Sequence, residues 1–93
     1  MRFEFKPSFK RSVKQLPPGE KEDVKKAAVR IIDMLSSGNP IHDKGTGLKH
    51  LHADIWEIRK GIKSRILLRL KGETVEFILA GSHDDIKRYL KNL

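Results

Sequence analysis

The spacing of the apolar residues changes part-way along this chain, and that change constrains the fold more than any other feature. In the first half most apolar side chains follow the helical repeat, as Phe9, Val13 and Leu16 do. In the second half they alternate with polar residues, which is the period of a half-buried β-strand. A chain of 93 residues has room for only one core. We therefore expect a single α+β domain over residues 1–93.

The first half predicts a strand and then a helical hairpin. Residues 2–6 alternate as a strand that Pro7 ends, and the helix from Ser8 through Leu16 stops at Pro17–Gly19. The next helix has carboxylates in its first turns, which favour the helix dipole, and it stops at Gly38 and Pro40. Its apolar stripe consists of Val24, Ala27, Ala28, Ile31 and Leu35. Two helices joined by so short a turn should pack antiparallel.

The second half predicts a sheet. Residues 39–53 have the composition of a loop, and alternating segments follow at about 54–60, 64–70 and 74–80, joined by connections short enough for hairpins. A short final helix should begin at Asp84. Its apolar side would consist of Ile86, Tyr89, Leu90 and Leu93. We expect the helical hairpin to cover one face of a largely antiparallel sheet and the other face to be open.

The charge of the chain indicates a polyanionic partner. Lys and Arg number 20 against 12 Asp and Glu, a net charge of +8. Residues 49–71 alone contain seven cations and two anions. Alternation places Arg59, Arg65 and Arg69 on the open face, with Glu57 beside them. Guanidinium groups bind phosphate through paired hydrogen bonds, so this face is a candidate RNA surface; an ordinary solvated face is the alternative.

Composition excludes several classes of protein. The chain has no cysteine, so disulfides and thiolate zinc sites are excluded. It has no apolar run near the roughly 20 residues needed to cross a bilayer. The first residues also lack the apolar region of a secretory signal. We expect a cytoplasmic protein with no membrane partner.

The histidines and aromatic residues suggest one catalytic candidate. His50 and His52 lack a third ligand at a defined spacing, so we expect no metal ion. His83 follows the last predicted strand, where a histidine can serve as a general acid or base near neutral pH. The alternative is a histidine that merely lies beside a helix start. Trp56 and Tyr89 are expected to pack in the core rather than to stack on bases.

Three segments resemble the RelE/ParE superfamily of bacterial type II toxins. They are Gly47–Leu51 (GLKHL), Ile55–Arg59 (IWEIR) and Ser64–Leu70 (SRILLRL), and the segment from Phe9 to Pro17 resembles the first helix of that superfamily. The resemblance covers nearly the whole chain in order. It implies a β-α-α-β-β-β fold and a cognate antitoxin as partner, a small protein with an acidic, poorly ordered segment.

Two activities occur in that superfamily, ribosome-dependent cleavage of mRNA and inhibition of gyrase. Residues 80–86 (AGSHDDI) resemble the YafQ-type ending, in which a histidine serves catalysis, and this favours cleavage. The resemblance thus implies an mRNA interferase, a metal-independent endoribonuclease without a cofactor. It would inhibit translation by binding the ribosome and its mRNA, where the ribose 2′-hydroxyl attacks the adjacent phosphate. The alternatives are a ParE-like gyrase inhibitor and a catalytically inactive toxin-like binding module.

The resemblance also suggests roles for individual residues. Arg65 matches the arginine placed against the scissile phosphate, and Arg59 matches a cationic strand position. The predicted catalytic residues are His83, Arg65, Arg59 and Glu57. The general base stays open between Glu57, His50 and His52, because Thr46–Gly47 and Ser64 stand where YoeB-type and YafQ-type toxins have acidic residues. The predicted RNA-binding residues are Lys49, His50, His52, Lys63 and Arg69.

Overall fold

The computed structural model describes residues 1–39, 47–59 and 62–93. In chain order the elements are β1 (Arg2–Phe5), α1 (Pro7–Lys14), α2 (Pro18–Ser36), β2 (Leu48–His52), β3 (Ile55–Ile58), β4 (Arg65–Lys71), β5 (Thr74–Gly81) and α3 (His83–Lys91). The strands form one five-stranded sheet in the order β1-β5-β4-β3-β2. β1 pairs with β5 in parallel, and the other pairs are antiparallel. The predicted α+β class, with a helical hairpin and a largely antiparallel sheet, is confirmed.

The helical hairpin covers one face of the sheet through the apolar stripes predicted for it. Phe9 and Val13 of α1 are buried, as are all five residues of the predicted α2 stripe. They pack against strand residues such as Ile66 and Phe77, and the Phe77 ring also stacks on Phe5 with centroids 4.8 Å apart. α2 ends before Gly38, whose φ of +90° lies in the left-handed region that favours glycine. None of the described helices is both long enough and apolar enough to cross a membrane.

Strand β2 was not predicted, because residues 39–53 were expected to form a loop. It is an edge strand with a bulge between His50 and His52. Leu48 packs against the helical-hairpin core and Leu51 against the opposite face, as their odd spacing in a strand requires. With one leucine on each face, β2 shows no alternation of apolar and polar residues, and periodicity did not reveal it. The rest of the predicted loop, residues 40–46, lies outside the described residues, as do residues 60–61 of the predicted β3–β4 connection.

The face opposite the helical hairpin is not open as predicted, because α3 packs on its centre. Ile86 of α3 is buried with Ile55, Leu67 and Ile78, and Leu67 is fully buried. A register shift lets β5 contribute both Ile78 and Leu79 to this second core. Leu79 therefore lies on the face opposite Phe77, whereas strict alternation predicted the same face for both. Tyr89 and Leu90 pack here as predicted, but Leu93 lies beyond α3 and is 64% exposed.

The turn into α3 is fixed by a capping box. The Ser82 hydroxyl accepts a hydrogen bond from the Asp85 backbone N–H at 3.2 Å, and the Asp85 carboxylate accepts from the Ser82 N–H at 2.9 Å. The hydrogen bonds from the Ser82 backbone and hydroxyl hold the pKa of Asp85 below its ordinary value. A Cβ on Gly81 would lie 2.7 Å from Asp85 Oδ2, so the helix approaches the strand more closely than a side chain permits. His83 therefore becomes the first residue of α3.

We predict that Asp85→Asn lowers the free energy of unfolding by about 1 kcal/mol at pH 7, as the loss of a helix cap does. Because the pKa of Asp85 is lowered in the folded state, its contribution is complete above its ordinary pKa of 3.8 and is lost as the pH falls through the folded value. The difference in unfolding free energy between wild type and variant, measured in urea, should therefore begin to shrink as the pH falls below about 4. Asp84→Asn is the control, because the Asp84 side chain bonds to none of the described residues. Equal losses in both variants would contradict the capping role.

Candidate active site

Two arginines converge on one buried carboxylate at the end of the β3–β4 hairpin. Glu57 is only 3% exposed, and its Oε1 atom accepts a hydrogen bond from Arg65 Nη1 at 3.3 Å. Arg59 Nε lies 3.4 Å from the same oxygen. Ile58 pairs with Ile66, so Arg59 and Arg65 are the next residues at the hairpin end and meet beside Glu57. We call Glu57, Arg59 and Arg65 the Glu57 cluster.

The positive charge of this face is concentrated around the Glu57 cluster. Lys49 of β2 lies directly opposite Glu57 and therefore on the same face, and the exposed Lys63 precedes Arg65 by two residues. Two cations thus pair with one carboxylate, and two further lysines lie near them in the strand register or in the sequence. Such an excess of like charge is stabilised by an anionic ligand such as phosphate.

The other end of the same face is electrically balanced. Arg69 lies 3.6 Å from Asp54 and 3.9 Å from Glu76, and Lys6 Nζ lies 3.0 Å from Glu76. The hydrogen bond to Glu76, with a smaller contribution from Glu4, raises the pKa of Lys6. Each of the three arginines on this face therefore has a carboxylate partner. Arg69 belongs to this balanced network and not to the Glu57 cluster.

His83 lies at the same end of the sheet as the Glu57 cluster. Arg65 is paired with Gly81 of β5, two residues before His83. The His83 side chain is exposed and makes no hydrogen bond or ion pair with any described residue. An exposed imidazole at the start of α3 is thus available to a ligand held by the arginines.

The other two candidate histidines, His50 and His52, are not brought to this cluster. His50 Nε2 lies 2.6 Å from the Ala53 carbonyl oxygen, and its ring packs on the half-buried Trp56 at 4.7 Å. That contact puts His50 on the helical-hairpin side of the sheet, since Trp56 packs against that core. His52 pairs with Ile55, which lies opposite Arg69 at the balanced end. Of the three predicted candidates for a general base, the structure places only Glu57 in the cluster.

The arrangement has the groups that acid–base chemistry at a phosphate requires. Two guanidinium groups can bind a phosphate, an exposed imidazole can move a proton, and a carboxylate can accept one. Within the described ranges, no three His, Asp or Glu side chains form a group that could hold a metal ion. His83 was predicted to lie between the last strand and a helix start, where the structure places it, but the capping box was missed, although Ser82-x-x-Asp85 is a recognisable signal for one.

No protein-family model and no curated protein matches this chain. Solved structures do match its fold. YafQ from Escherichia coli BL21(DE3) superimposes with a TM-score of 0.66 at 11% identity, over 92% of this chain and 98% of YafQ. The RelB–RelE antitoxin–toxin complex from Methanococcus jannaschii gives 0.64 at 22% identity, over 92% and 96%. The toxin–antitoxin complex RelBE2 from Mycobacterium tuberculosis gives 0.63 at 22% identity, over 88% and 96%.

The chain has the RelE-like toxin fold. The resemblance to the RelE/ParE superfamily, drawn from segments between residues 47 and 70 and from the first helix, is therefore confirmed at the level of the fold. Within this RelE-like fold, β3, β4 and the β5–α3 turn position the Glu57 cluster and His83. The fold thus brings four predicted catalytic residues to one end of the sheet.

We predict that Arg65→Ala destabilises the protein more than Arg59→Ala. The Arg65 side chain is 23% exposed and supports a buried carboxylate, so its loss should cost about 1–3 kcal/mol. The Arg59 side chain is 45% exposed, and its ion pair should contribute less than about 1 kcal/mol. Urea unfolding of both variants measures the difference. Equal losses would mean that Arg65 is not the main partner of Glu57.

Proposed function

We propose that this protein is a type II toxin, a metal-independent endoribonuclease that cuts mRNA on the ribosome. The observation that carries the proposal is the convergence of Arg59 and Arg65 on Glu57, next to the turn that begins α3 at the exposed His83. The RelE-like fold supports the same conclusion, since the RelE/ParE superfamily includes ribosome-dependent ribonucleases.

In the proposed reaction the ribose 2′-hydroxyl oxygen attacks the adjacent phosphorus. The bond from phosphorus to the 5′ oxygen breaks, leaving a 2′,3′-cyclic phosphate and a free 5′-hydroxyl. Arg65 and Arg59 stabilise the negative charge that develops on the phosphoryl oxygens, the electrostatic contribution that is usually largest. His83 protonates the leaving 5′ oxygen.

Glu57 is the proposed acceptor of the 2′-hydroxyl proton. Its Oε1 atom is held by the two arginines, whereas Oε2 accepts no hydrogen bond from the described residues. A carboxylate fixed through one oxygen keeps lone pairs on the other for a proton. His50 and His52 are poorer candidates because both lie away from the Glu57 cluster.

Lys49 and Lys63 are proposed to hold the RNA backbone beside the Glu57 cluster, which makes binding strongly salt-dependent. Arg69 should contribute less, because Asp54 and Glu76 already neutralise it. The proposed partner in the resting cell is an antitoxin whose acidic segment covers this positive end of the sheet. Two of the structures with the same fold are toxin–antitoxin complexes.

We predict that His83→Gln lowers single-turnover cleavage of ribosome-bound mRNA by about 10²–10⁴-fold, the usual range for general acid–base catalysis. Ribosome binding should change little, because the imidazole acts in the transition state. The measurement is quantitative primer extension on a stalled ribosomal complex, with ribosome pelleting to follow binding.

Lys87→Gln is the control for this test, since Lys87 is exposed one turn further along α3. It changes the same helix without removing an imidazole, and its cleavage rate should stay close to that of wild type. A wild-type rate in His83→Gln would contradict the assigned role of His83. An equal loss in both variants would mean that the charge of α3, and not a proton transfer, is what matters.

A further inference from the structure

A cleft of about 450 Å³ lies between α1 and α3, on the far side of β5 from Arg65. Its walls include Gln15 and Leu16 after α1, Leu79 and Gly81 of β5, and Tyr89 and Asn92 at the end of α3. The volume is within the range of small-ligand sites, about 300–1,000 Å³. None of the roles proposed above uses this cleft.

The cleft exists because β1 is shorter than β5. β1 ends at Phe5, which pairs with Phe77, so the last residues of β5 have no strand on that side. Two serines of α1 bond to β5 where a neighbouring strand would. The Ser8 hydroxyl donates to the Ile78 carbonyl, and the Ser12 hydroxyl accepts from the Ala80 N–H at 3.0 Å. Serine side chains are short, and space therefore remains between α1 and α3 above the end of β5.

The chemistry of the cleft favours an uncharged, planar ligand. Its floor is apolar, and the Gln15 amide and Tyr89 hydroxyl make no hydrogen bonds with the described residues. The charged residues that line it neutralise each other, since Arg88 Nη1 lies 3.3 Å from Asp85 Oδ1. A phosphate or an acidic peptide would require unbalanced positive charge. A nucleobase instead requires donors and acceptors on its edge and apolar or aromatic contacts on its faces.

The position of the cleft relates it to the Glu57 cluster. Gly81 lines the cleft and is also the β5 residue opposite Arg65, and neighbouring strands are about 4.8 Å apart. An RNA strand with its phosphate at Arg65 could thus place a flanking base in the cleft. We propose that this cleft binds one nucleobase beside the cut and thereby selects the cleavage site. The proposal rests on the proposed function and adds a specificity site to it.

The first test measures binding without cleavage. The four nucleoside 5′-monophosphates are titrated separately into the protein, and amide chemical shifts are followed by NMR. At least one should shift the resonances of Gln15, Leu79 and Asn92, and Gln15→Ala should weaken its binding by about tenfold or more, the equivalent of about 1.4 kcal/mol. Lys14→Ala is the control, because Lys14 is the exposed neighbour of Gln15 and does not line the cleft. A poly-glutamate peptide is titrated in the same way, as the alternative acidic ligand.

The second test maps cut positions on translated mRNA. Gln15→Ala should change which base is found next to the cut, whereas Lys14→Ala should leave the wild-type distribution. The proposal would be overturned if Gln15→Ala left the distribution of cut positions unchanged. It would also be overturned if the nucleotides shifted only resonances of the Glu57 cluster, or if only poly-glutamate shifted those of the cleft. If cleavage requires His83 but the cut positions do not depend on Gln15, the proposed role of the cleft is refuted and the proposed function is not. Nucleotide binding in the cleft of a wild-type protein that cuts no RNA would refute the proposed function and, with it, selection of the cut site.

Discussion

The candidate site depends on one interaction, the pairing of the buried Glu57 carboxylate with Arg59 and Arg65. A carboxylate that is 3% exposed is costly to bury unless cations compensate it. Arg59 and Arg65 supply that compensation, and in doing so both guanidinium groups are fixed at the end of the β3–β4 hairpin. Their positions follow from the strand register, which is set by the core residues Ile58 and Ile66. The core thus determines where the positive charge lies.

The α3 helix divides the sheet face into two ends with different electrostatics. Ile86 packs over Leu67 at the centre, and this apolar contact separates the Glu57 cluster from the balanced network around Glu76. The capping box at Ser82 fixes the start of the same helix and so presents His83 at the end that has the excess cations. One short helix therefore completes the second core and supplies the proposed acid.

Sequence periodicity predicted the elements that are regular and failed where strands are irregular. The α2 stripe is buried as predicted because one helix face meets one core. β2 is short and bulged and has one leucine on each face, so it shows no alternation, and the register shift beside Ile78 altered the faces of β5. Arg65, Arg59, Glu57 and His83 were named from charge, position and resemblance. Their convergence, and the exclusion of His50, depend on register and packing, which periodicity does not specify.

Mapping the RNA ends produced in a purified translation system tests directly whether the protein cuts mRNA on the ribosome. The message is incubated with the protein, with and without ribosomes, and the ends are located by primer extension and typed by phosphorylation with polynucleotide kinase. We expect cuts only in translated message, with free 5′-hydroxyl and cyclic phosphate ends. An intact message would contradict the proposed ribonuclease activity. If the protein also blocked DNA supercoiling by gyrase in a separate assay, it would be a gyrase inhibitor with the same fold.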